Sequence, residues 1–327
     1  MNVMKQIFVI ILLAAAALGC KKETPVGPDL LNIYGPFAIK DSLSVENING
    51  VDFSANETVK FKGDWSNVTS WKITITGKSS GAVKTITGKT KTLDTLLSIW
   101  DGSSDCIFFR KEECNVQLSF SEHPNTMNCN IKINGVHDYY KDGILLKDFE
   151  GTTAPEFWGG NSNCKIDSTN KVPQGNKYFH MEGKEPGNAY WIGSFPPITA
   201  QQLFGTSTTH FPFNDKDTST TYVNFFVRGY GYPDTYVNIQ EKEDDNNDGI
   251  TDTTEDSYSK RYLVTGTEWT KVSIPLSELT HDNAFGNHKK EISKITTIYI
   301  MLFSAGTARD KIGCDIDFFI ITKGKPL

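Results

Sequence analysis

The sequence lacks most of the signatures by which enzymes and nucleic-acid binders are read. It has no Gly-x-Ser-x-Gly, no His-Glu-x-x-His and no glycine-rich phosphate loop, which removes nucleophile-elbow hydrolases, zincins and P-loop nucleotide chemistry. No Cys-x-x-Cys or Cys/His spacing suggests zinc. Basic residues are the minority, 33 Lys and Arg against 39 Asp and Glu, and a net charge of −6 gives no reason to expect nucleic acid. No amphipathic stretch covers three helical turns, which argues against a helical architecture. Internal repeats and long low-complexity segments are absent. Beyond Ile7 to Leu18 there is no apolar run approaching the roughly 20 residues that cross a bilayer.

What is present begins at the N-terminus. Lys5, the apolar run to Leu18 and the small residues around Gly19 have the charge, core length and exit of a secretory signal peptide. The ending Ala17-Leu18-Gly19-Cys20 resembles the lipobox of bacterial lipoproteins, with Ala17 where that family usually has Leu. The resemblance implies cleavage after residue 19 and a lipid on Cys20. Lys21-Lys22-Glu23 resembles the short charged tag that sends lipoproteins of the Bacteroidota to the outer face of the outer membrane. We therefore expect a signal peptide over 1–19 and a lipidated, proline-containing tether over 20–30. The expected location is the outer membrane, lipid-anchored and facing the cell exterior, with the lipid as the only membrane contact.

Five further cysteines follow: Cys106, Cys114, Cys129, Cys164 and Cys314. An exported compartment permits disulfides. The odd count leaves at least one thiol without a partner in the chain, and bridges and buried apolar thiols both stay open.

From residue 31 onward the chain reads as β. Trp71-Lys72-Ile73-Thr74-Ile75-Thr76 and Cys114-Asn115-Val116-Gln117-Leu118-Ser119-Phe120 alternate with period two, the mark of strands with one buried face. Asn49-Gly50, Ser79-Ser80-Gly81, Asp101-Gly102-Ser103 and Asn134-Gly135 are turn chemistry between them. Short strands with frequent turns predict an all-β chain of two sandwiches. We expect an immunoglobulin-like domain over 31–147, without the Cys…Trp…Cys spacing of antibody domains. A β-jelly-roll of the galactose-binding-like kind is expected over 148–327.

Three landmarks lie in the second domain: Asp148-Phe149-Glu150-Gly151 at its start, Trp269-Thr270-Lys271-Val272-Ser273-Ile274-Pro275-Leu276 late, and Ile316-Asp317-Phe318-Phe319-Ile320 at its end. Their order resembles carbohydrate-binding modules of the jelly-roll type. In the first domain Trp71 to Gly77, Ser80-Gly81-Ala82 and Trp100-Asp101-Gly102 are similar to the N-terminal β domain of surface glycan-binding lipoproteins in Bacteroidota polysaccharide-uptake systems. The resemblance implies non-catalytic capture of a polysaccharide or oligosaccharide, with an outer-membrane glycan transporter complex as a further partner. It also implies a structural calcium ion near the join of first and last strands, with Glu150 and Asp317 at the carboxylate positions, and a structural role for Trp269.

Two sets of residues point to binding chemistry on their own. The run Asp244 to Glu255 matches the calcium-loop pattern D-x-[DN]-x-[DN]-G-x5-E, with Asp244, Asn246, Asp248, the Ile250 carbonyl and Glu255 as ligands. Strand-like flanks make it a loop between two strands rather than an EF-hand, and a solvated Asp-Gly hairpin is the other reading. For sugars, flat rings and planar hydrogen-bonding groups are needed. Trp158, the adjacent Tyr190 and Trp191, and the group Arg228, Tyr230 and Tyr232 supply them from glycine-rich segments. Tyr190 and Trp191 are adjacent in a strand-like run, so one of them should point inward. A core role is the competing reading for each aromatic. His180 and Glu182 share a strand face and could act as acid and base, or be an ordinary surface pair; no glycosidase signature accompanies them. Two classes of function follow: glycan binding, and a structural or adhesive surface lipoprotein with a protein partner, with a glycoside hydrolase or lyase as the enzymatic alternative.

Overall fold

The longest strand of the first half, β3 (Val59–Gly77), buries Phe61, Trp65, Trp71, Ile73 and Ile75 at alternate positions, as the period-two pattern requires. The computed structural model describes residues 35–46, 49–93, 96, 98–151, 162–169, 171–188 and 190–327. Cys20 with the signal and tether segments, and Trp158, lie outside the described residues.

Seven strands build the first half: β1 (Ile39–Val45), β2 (Val51–Asp52), β3, β4 (Val83–Leu93), β5 (Ile99–Trp100), β6 (Glu113–Phe120) and β7 (Thr126–Gly135). The N-terminal part of β3 pairs with β1 and β5, its C-terminal part with β6, and β4 with both parts across a register shift between Asp64 and Thr69. Pairing is antiparallel except for β2 on β7. The β3–β4 turn is fixed by the buried Glu112, whose carboxylate accepts from the Ser79 and Ser80 amides at 2.6 and 2.9 Å. Each buried tryptophan finds an acceptor, Trp65 the Thr90 carbonyl at 3.0 Å and Trp100 the Ser103 carbonyl at 2.9 Å.

The second half is two packed six-stranded sheets. One has the order β16 (Thr270–Pro275), β13 (Thr221–Gly229), β19 (Arg309–Lys323), β10 (Lys177–Glu185), β9 (Ser162–Ser168), with β8 (Gly143–Lys147) on β19. The other has β11 (Trp191–Ser194), β18 (Ile295–Ser304), β14 (Thr235–Glu243), β15 (Ser257–Leu263), β17 (Thr280–His281), with β12 (Ile198–Thr199) on β18. Their inner faces share one apolar core that includes Phe179, Phe225, Val237, Ile239, Ile300 and Ile316. The chain is thus all-β with sandwich-like sheets. Among the described residues the one α-helix is α1 (Ala200–Phe204), held by a capping box between Thr199 and Gln202.

Residues 143–147, assigned on sequence to the end of the first domain, form β8 and are hydrogen-bonded to β19 of the second sandwich, Phe319 opposite Lys147. β19 is buried on both faces. Ile316, Phe319 and Ile321 enter the core between the sheets, while Phe318 and Ile320 enter the apolar cluster of the first half. A register break against β13 between Phe226 and Asn224, with Phe318 at φ +47°, changes the side-chain alternation at that point. The first half contributes Phe108 to this junction: it stacks on Tyr139 at 3.7 Å and meets Phe226 and Phe318 edge-on at 4.9 and 5.2 Å.

Candidate functional site

The two sheets of the second sandwich present different chemistry to the outside. On β14, Val237 and Ile239 face the core, so Tyr236, Asn238, Gln240 and Lys242 face outward. The antiparallel ladders set Arg261, Ser259 and Ser257 of β15 beside Asn238, Gln240 and Lys242. On the other flank Phe303, Met301, Tyr299 and Thr297 of β18 stand beside Tyr236, Asn238, Gln240 and Lys242. A cleft of about 410 Å³ lies on this face, lined among others by Asn238, Gln240, Arg261, Asp282, Phe285 and Phe303. Asn238 Oδ1, at its floor, is buried without a hydrogen-bond partner, an acceptor left for a ligand or water. Gln240 Nε2 donates to Asp282 at 2.8 Å, and the Arg261 guanidinium lies over Phe303 at 4.7 Å and Tyr190 at 5.6 Å.

Tyr190 and Trp191 border this face, and both are exposed, 55% and 40%. The expectation that one of them points inward is therefore corrected. Tyr190 precedes the strand, where its ring packs near Gly306, and β11 breaks register between Trp191 and Gly193. Alternation holds within β11, where Trp191 is exposed and Ile192 buried, and does not reach Tyr190 ahead of it. Phe285, 53% exposed, stands in the loop after β17.

The group Arg228, Tyr230 and Tyr232 lies on the opposite sheet, at and beyond the end of β13, and does not share a site with Trp191. Asp315 on β19 is fully buried and collects its polar atoms. Arg228 donates to it at 3.0 and 2.5 Å, Tyr230 Oη donates at 2.5 Å, and His180 Nδ1 sits 2.9 Å away. Arg228 also stacks on Trp269 at 4.8 Å. Burial alone would lower the Arg228 pKa, but the Asp315 contacts hold it above its ordinary value. Burial, with Asp315 as acceptor, pushes the Tyr230 hydroxyl upward. These side chains are tied to one another. Trp269 itself is buried. His180 and Glu182 do not pair: Glu182 meets Lys311 at 3.1 Å and Tyr232 at 3.4 Å.

The acidic loop joins β14 to β15 as a hairpin. Asp244 is fully buried and accepts from the amides of Asp248 at 3.1 Å and Gly249 at 2.8 Å, with His210 Nε2 at 3.0 Å. Asn246 accepts from the Asp248 amide and Asp248 from the Ile250 amide, both at 2.8 Å. Glu255 accepts from the amides of Asn246 at 3.4 Å and Asp252 at 3.1 Å. The loop is thus built of Asx turns on its own backbone. Among the described residues, Asp244, Asp248 and Glu255 do not form a cluster with oxygens within 4.8 Å of one another.

Glu150 and Asp317 grip one short segment. Glu150 accepts from the amides of Asn176 and Lys177 at 2.8 and 2.7 Å; Asp317 accepts from Gln174 at 3.0 Å and Phe318 at 2.7 Å. Burial pushes the Asp317 carboxyl well above the usual range, helped by the charges of Glu150 and Asp148. Gln174 Oε1 is buried nearby in sequence without a partner, so hard oxygens of the kind calcium takes are present.

A larger cavity, about 530 Å³, runs along the junction of the two halves. Its rings Phe108, Tyr139 and Phe318 are packed on one another rather than presented.

No family model and no curated protein matches the chain. Solved structures do. A family 11 carbohydrate-binding module of the cellulosomal cellulase Lic26A-Cel5E of Clostridium thermocellum is 12% identical, over 55% of this chain and 94% of its own, with a TM-score of 0.37. SGBP-B from a complex xyloglucan utilization locus in Bacteroides uniformis is 16% identical, over 86% of this chain and 73% of its own, with a TM-score of 0.39. Likenesses this weak carry no inference about what this chain binds.

Sequence reasoning had not found Asn238, Gln240, Arg261, Asp282, Phe285 and Phe303. The first two carried a signal. Planar amides alternating with Val237 and Ile239 on one strand form a polar outer face suited to hydrogen-bonding a ligand.

Proposed function

We propose that the chain is a non-catalytic glycan-binding protein whose sugar site is the outer face of the β11-β18-β14-β15-β17 sheet. One observation carries the reading: the exposed ring of Phe285 lines a cleft floored by amides and a guanidinium, with the exposed rings of Tyr190, against Arg261, and Trp191, opposite Phe303, on the same sheet beside it. A pyranose offers an apolar C–H face to rings and hydroxyls to planar polar groups, and this surface offers both in reach of each other. The order of the sequence landmarks around Phe149, Trp269 and Asp317, which resembles that of jelly-roll carbohydrate-binding modules, supports it. In this proposal a lipid on Cys20 holds the protein on the outer membrane, and the chain delivers polysaccharide or oligosaccharide to a transporter complex. A calcium ion held by Glu150 and Asp317 would brace the join of first and last strands.

Affinity electrophoresis against a panel of soluble polysaccharides tests the reading. The chain should be retarded by at least one glycan, and Trp191→Ala should migrate freely. Retardation by none of a broad panel, or release of reducing sugar abolished by mutating one carboxylate, would overturn it. Labelling with radioactive palmitate, lost in Cys20→Ala, tests the anchor separately.

A further inference from the structure

The inner face of β14 changes character along its length. Val237, Ile239, Glu241 and Glu243 occupy alternate positions on one face. The first two are core residues; the next two carry carboxylates onto the same buried side, and neither exposes any surface. Asp256, just before β15, is 1% exposed. An uncompensated buried carboxylate costs several kcal/mol. Yet Glu243 Oε2, Asp256 Oδ2 and both oxygens of Glu241 are buried without a hydrogen-bond partner. Lys290 Nζ lies 3.4 Å from Glu241 Oε1 and donates to the Leu279 carbonyl at 3.0 Å. Lys294 Nζ donates to the Asp245 carbonyl at 3.1 Å and pairs with Glu291 at 3.1 Å, and the two ammoniums still leave these carboxylate oxygens without a hydrogen bond. Burial pushes the Glu243 carboxyl upward, and the neighbouring charge of Glu241 pushes the same way.

The remaining oxygens are firmly placed. Glu243 Oε1 accepts from the Glu291 amide at 2.9 Å. Asp245 accepts from the Asp256 amide at 3.1 Å and the Asn287 side chain at 2.8 Å. Asp256 Oδ1 accepts from the His288 amide at 3.2 Å and lies 2.8 Å from His281 Nε2. Gly286, at φ +86°, closes the backbone over this carboxylate; a Cβ there would stand 2.0 Å from Asp256 Oδ1. One oxygen from each of Glu243, Asp245 and Asp256 lies within 4.8 Å of the others. Calcium binds oxygen at about 2.3–2.6 Å, so ligands facing each other across the ion stand about 4.6–5.2 Å apart. The spacing fits that geometry.

We propose that the base of the β14–β15 hairpin binds a hard divalent cation, calcium by its donor set, through the carboxylates of Glu243, Asp245 and Asp256. The site is separate from the loop residues Asp244, Asn246, Asp248 and Glu255 and from the Glu150–Asp317 pair. A second convergent set, Asp256 with His281 and His288, suits a softer metal. His281 Nε2, however, faces two acceptors, Asp256 and the Phe285 carbonyl at 3.2 Å, so it carries a proton and orients the carboxylate. The ion would tie β14 and β15 to the loop 282–291, which also supplies Asp282 and Phe285 to the cleft. This last consequence rests on the glycan-binding reading; the cation site does not.

The test uses the full chain, stripped with chelator and then titrated with calcium alone by calorimetry and followed by thermal melting. Calcium should bind and raise the melting temperature. Glu243→Gln and Asp256→Asn should each weaken one calcium-binding event by at least about tenfold, whereas Asp248→Ala should keep that event and Asp317→Ala should remove only the separate event assigned to Glu150 and Asp317. Glu243→Gln is nearly isosteric and keeps an acceptor for the Glu291 amide, so in chelator it should melt close to the parent chain, which separates lost coordination from lost folding. Absence of calcium binding, binding lost only in Asp248→Ala or Asp317→Ala, or preferential zinc binding lost in His288→Ala would each overturn the proposal. None of these readouts involves a glycan.

Discussion

Trp191 stands opposite Phe303 in the β11–β18 ladder, at the edge of the face that holds the cleft. The indole is exposed without being part of the core, so its removal separates binding from stability. Trp191→Ala is expected to weaken glycan binding by more than about 1 kcal/mol, roughly fivefold or more. Its melting temperature should stay close to that of the parent chain, since exposed substitutions stay within about 0.5 kcal/mol. Phe285→Ala should act in the same direction. Tyr232→Ala, on the other sheet, should leave affinity unchanged. Calorimetry with whichever polysaccharide retards the chain checks all three.

The Asp315 cluster is expected to be structural. Asp315→Asn leaves the Arg228 guanidinium partly buried without its carboxylate, and breaking such a pair costs up to about 3–5 kcal/mol. Arg228 keeps some solvent access, 24% of its side chain, which places the expected loss near the lower end, about 3 kcal/mol. Urea unfolding should show it as a fall in midpoint with unchanged slope, and glycan affinity should not change. A variant that lost affinity at full stability would show instead that this surface takes part in binding.

The thiols make a third expectation. All five described cysteines are free. Burial pushes the Cys114 thiol up to about 12 and Cys129 to about 11. The thiolate is the reactive form, and its fraction below the pKa rises tenfold per pH unit. Native-state alkylation of both should therefore be slow at pH 8 and accelerate with pH until about 11 for Cys129 and about 12 for Cys114. Unfolding in denaturant should release the block. Mass spectrometry after timed alkylation reads each site; rapid labelling of Cys114 at pH 8 would contradict the burial.

Much of the strand content was legible because one-sided burial leaves a period-two trace. Trp71 to Thr76 and Cys114 to Phe120 both fall within strands at the positions their alternation implies. The acidic hairpin was legible for the same reason, since strand patterns flank it. What the sequence does not carry is the sheet to which each strand belongs. Tyr230 and Trp191 look alike as glycine-flanked aromatics, yet they sit on opposite sheets, one bound into an ion-pair cluster and the other exposed. Register breaks are equally silent. Strand starts are silent too: Tyr190 lies just ahead of β11, so it and Trp191 are both exposed, and the break at Phe318 sends that ring into the neighbouring half. The calcium-loop pattern falls in the acidic hairpin, but motif spacing carries no burial. Burial singles out Glu243 on the core face of β14 and Asp256 just before β15, at the base.

The final expectation concerns how the two halves unfold. Phe108 belongs to the first half, yet its ring is held by Tyr139, Phe226 and Phe318, the last two from sheet strands of the second sandwich. The Phe108 amide donates to the Pro173 carbonyl at 3.2 Å, and Arg110 donates to the Gly175 carbonyl at 3.0 Å. The apolar cluster of the first half runs on without a break into Tyr178, Trp269 and Ile320. Domains joined by a wet, polar seam would melt separately, whereas a shared apolar core makes unfolding of one half expose surface of the other. The parent chain should therefore show a single calorimetric transition. Phe108→Ala removes a ring that is 6% exposed and should cost about 3–5 kcal/mol at the junction. The loss falls on the coupling rather than on either interior, since Trp100, Ile73, Phe225 and Ile300 stay packed in their own halves. Two resolved transitions in the variant, against one in the parent, are the expected result of differential scanning calorimetry. A single transition merely shifted downward would mean that other junction contacts suffice to couple the halves, and two transitions in the parent would mean that the shared cluster does not couple them.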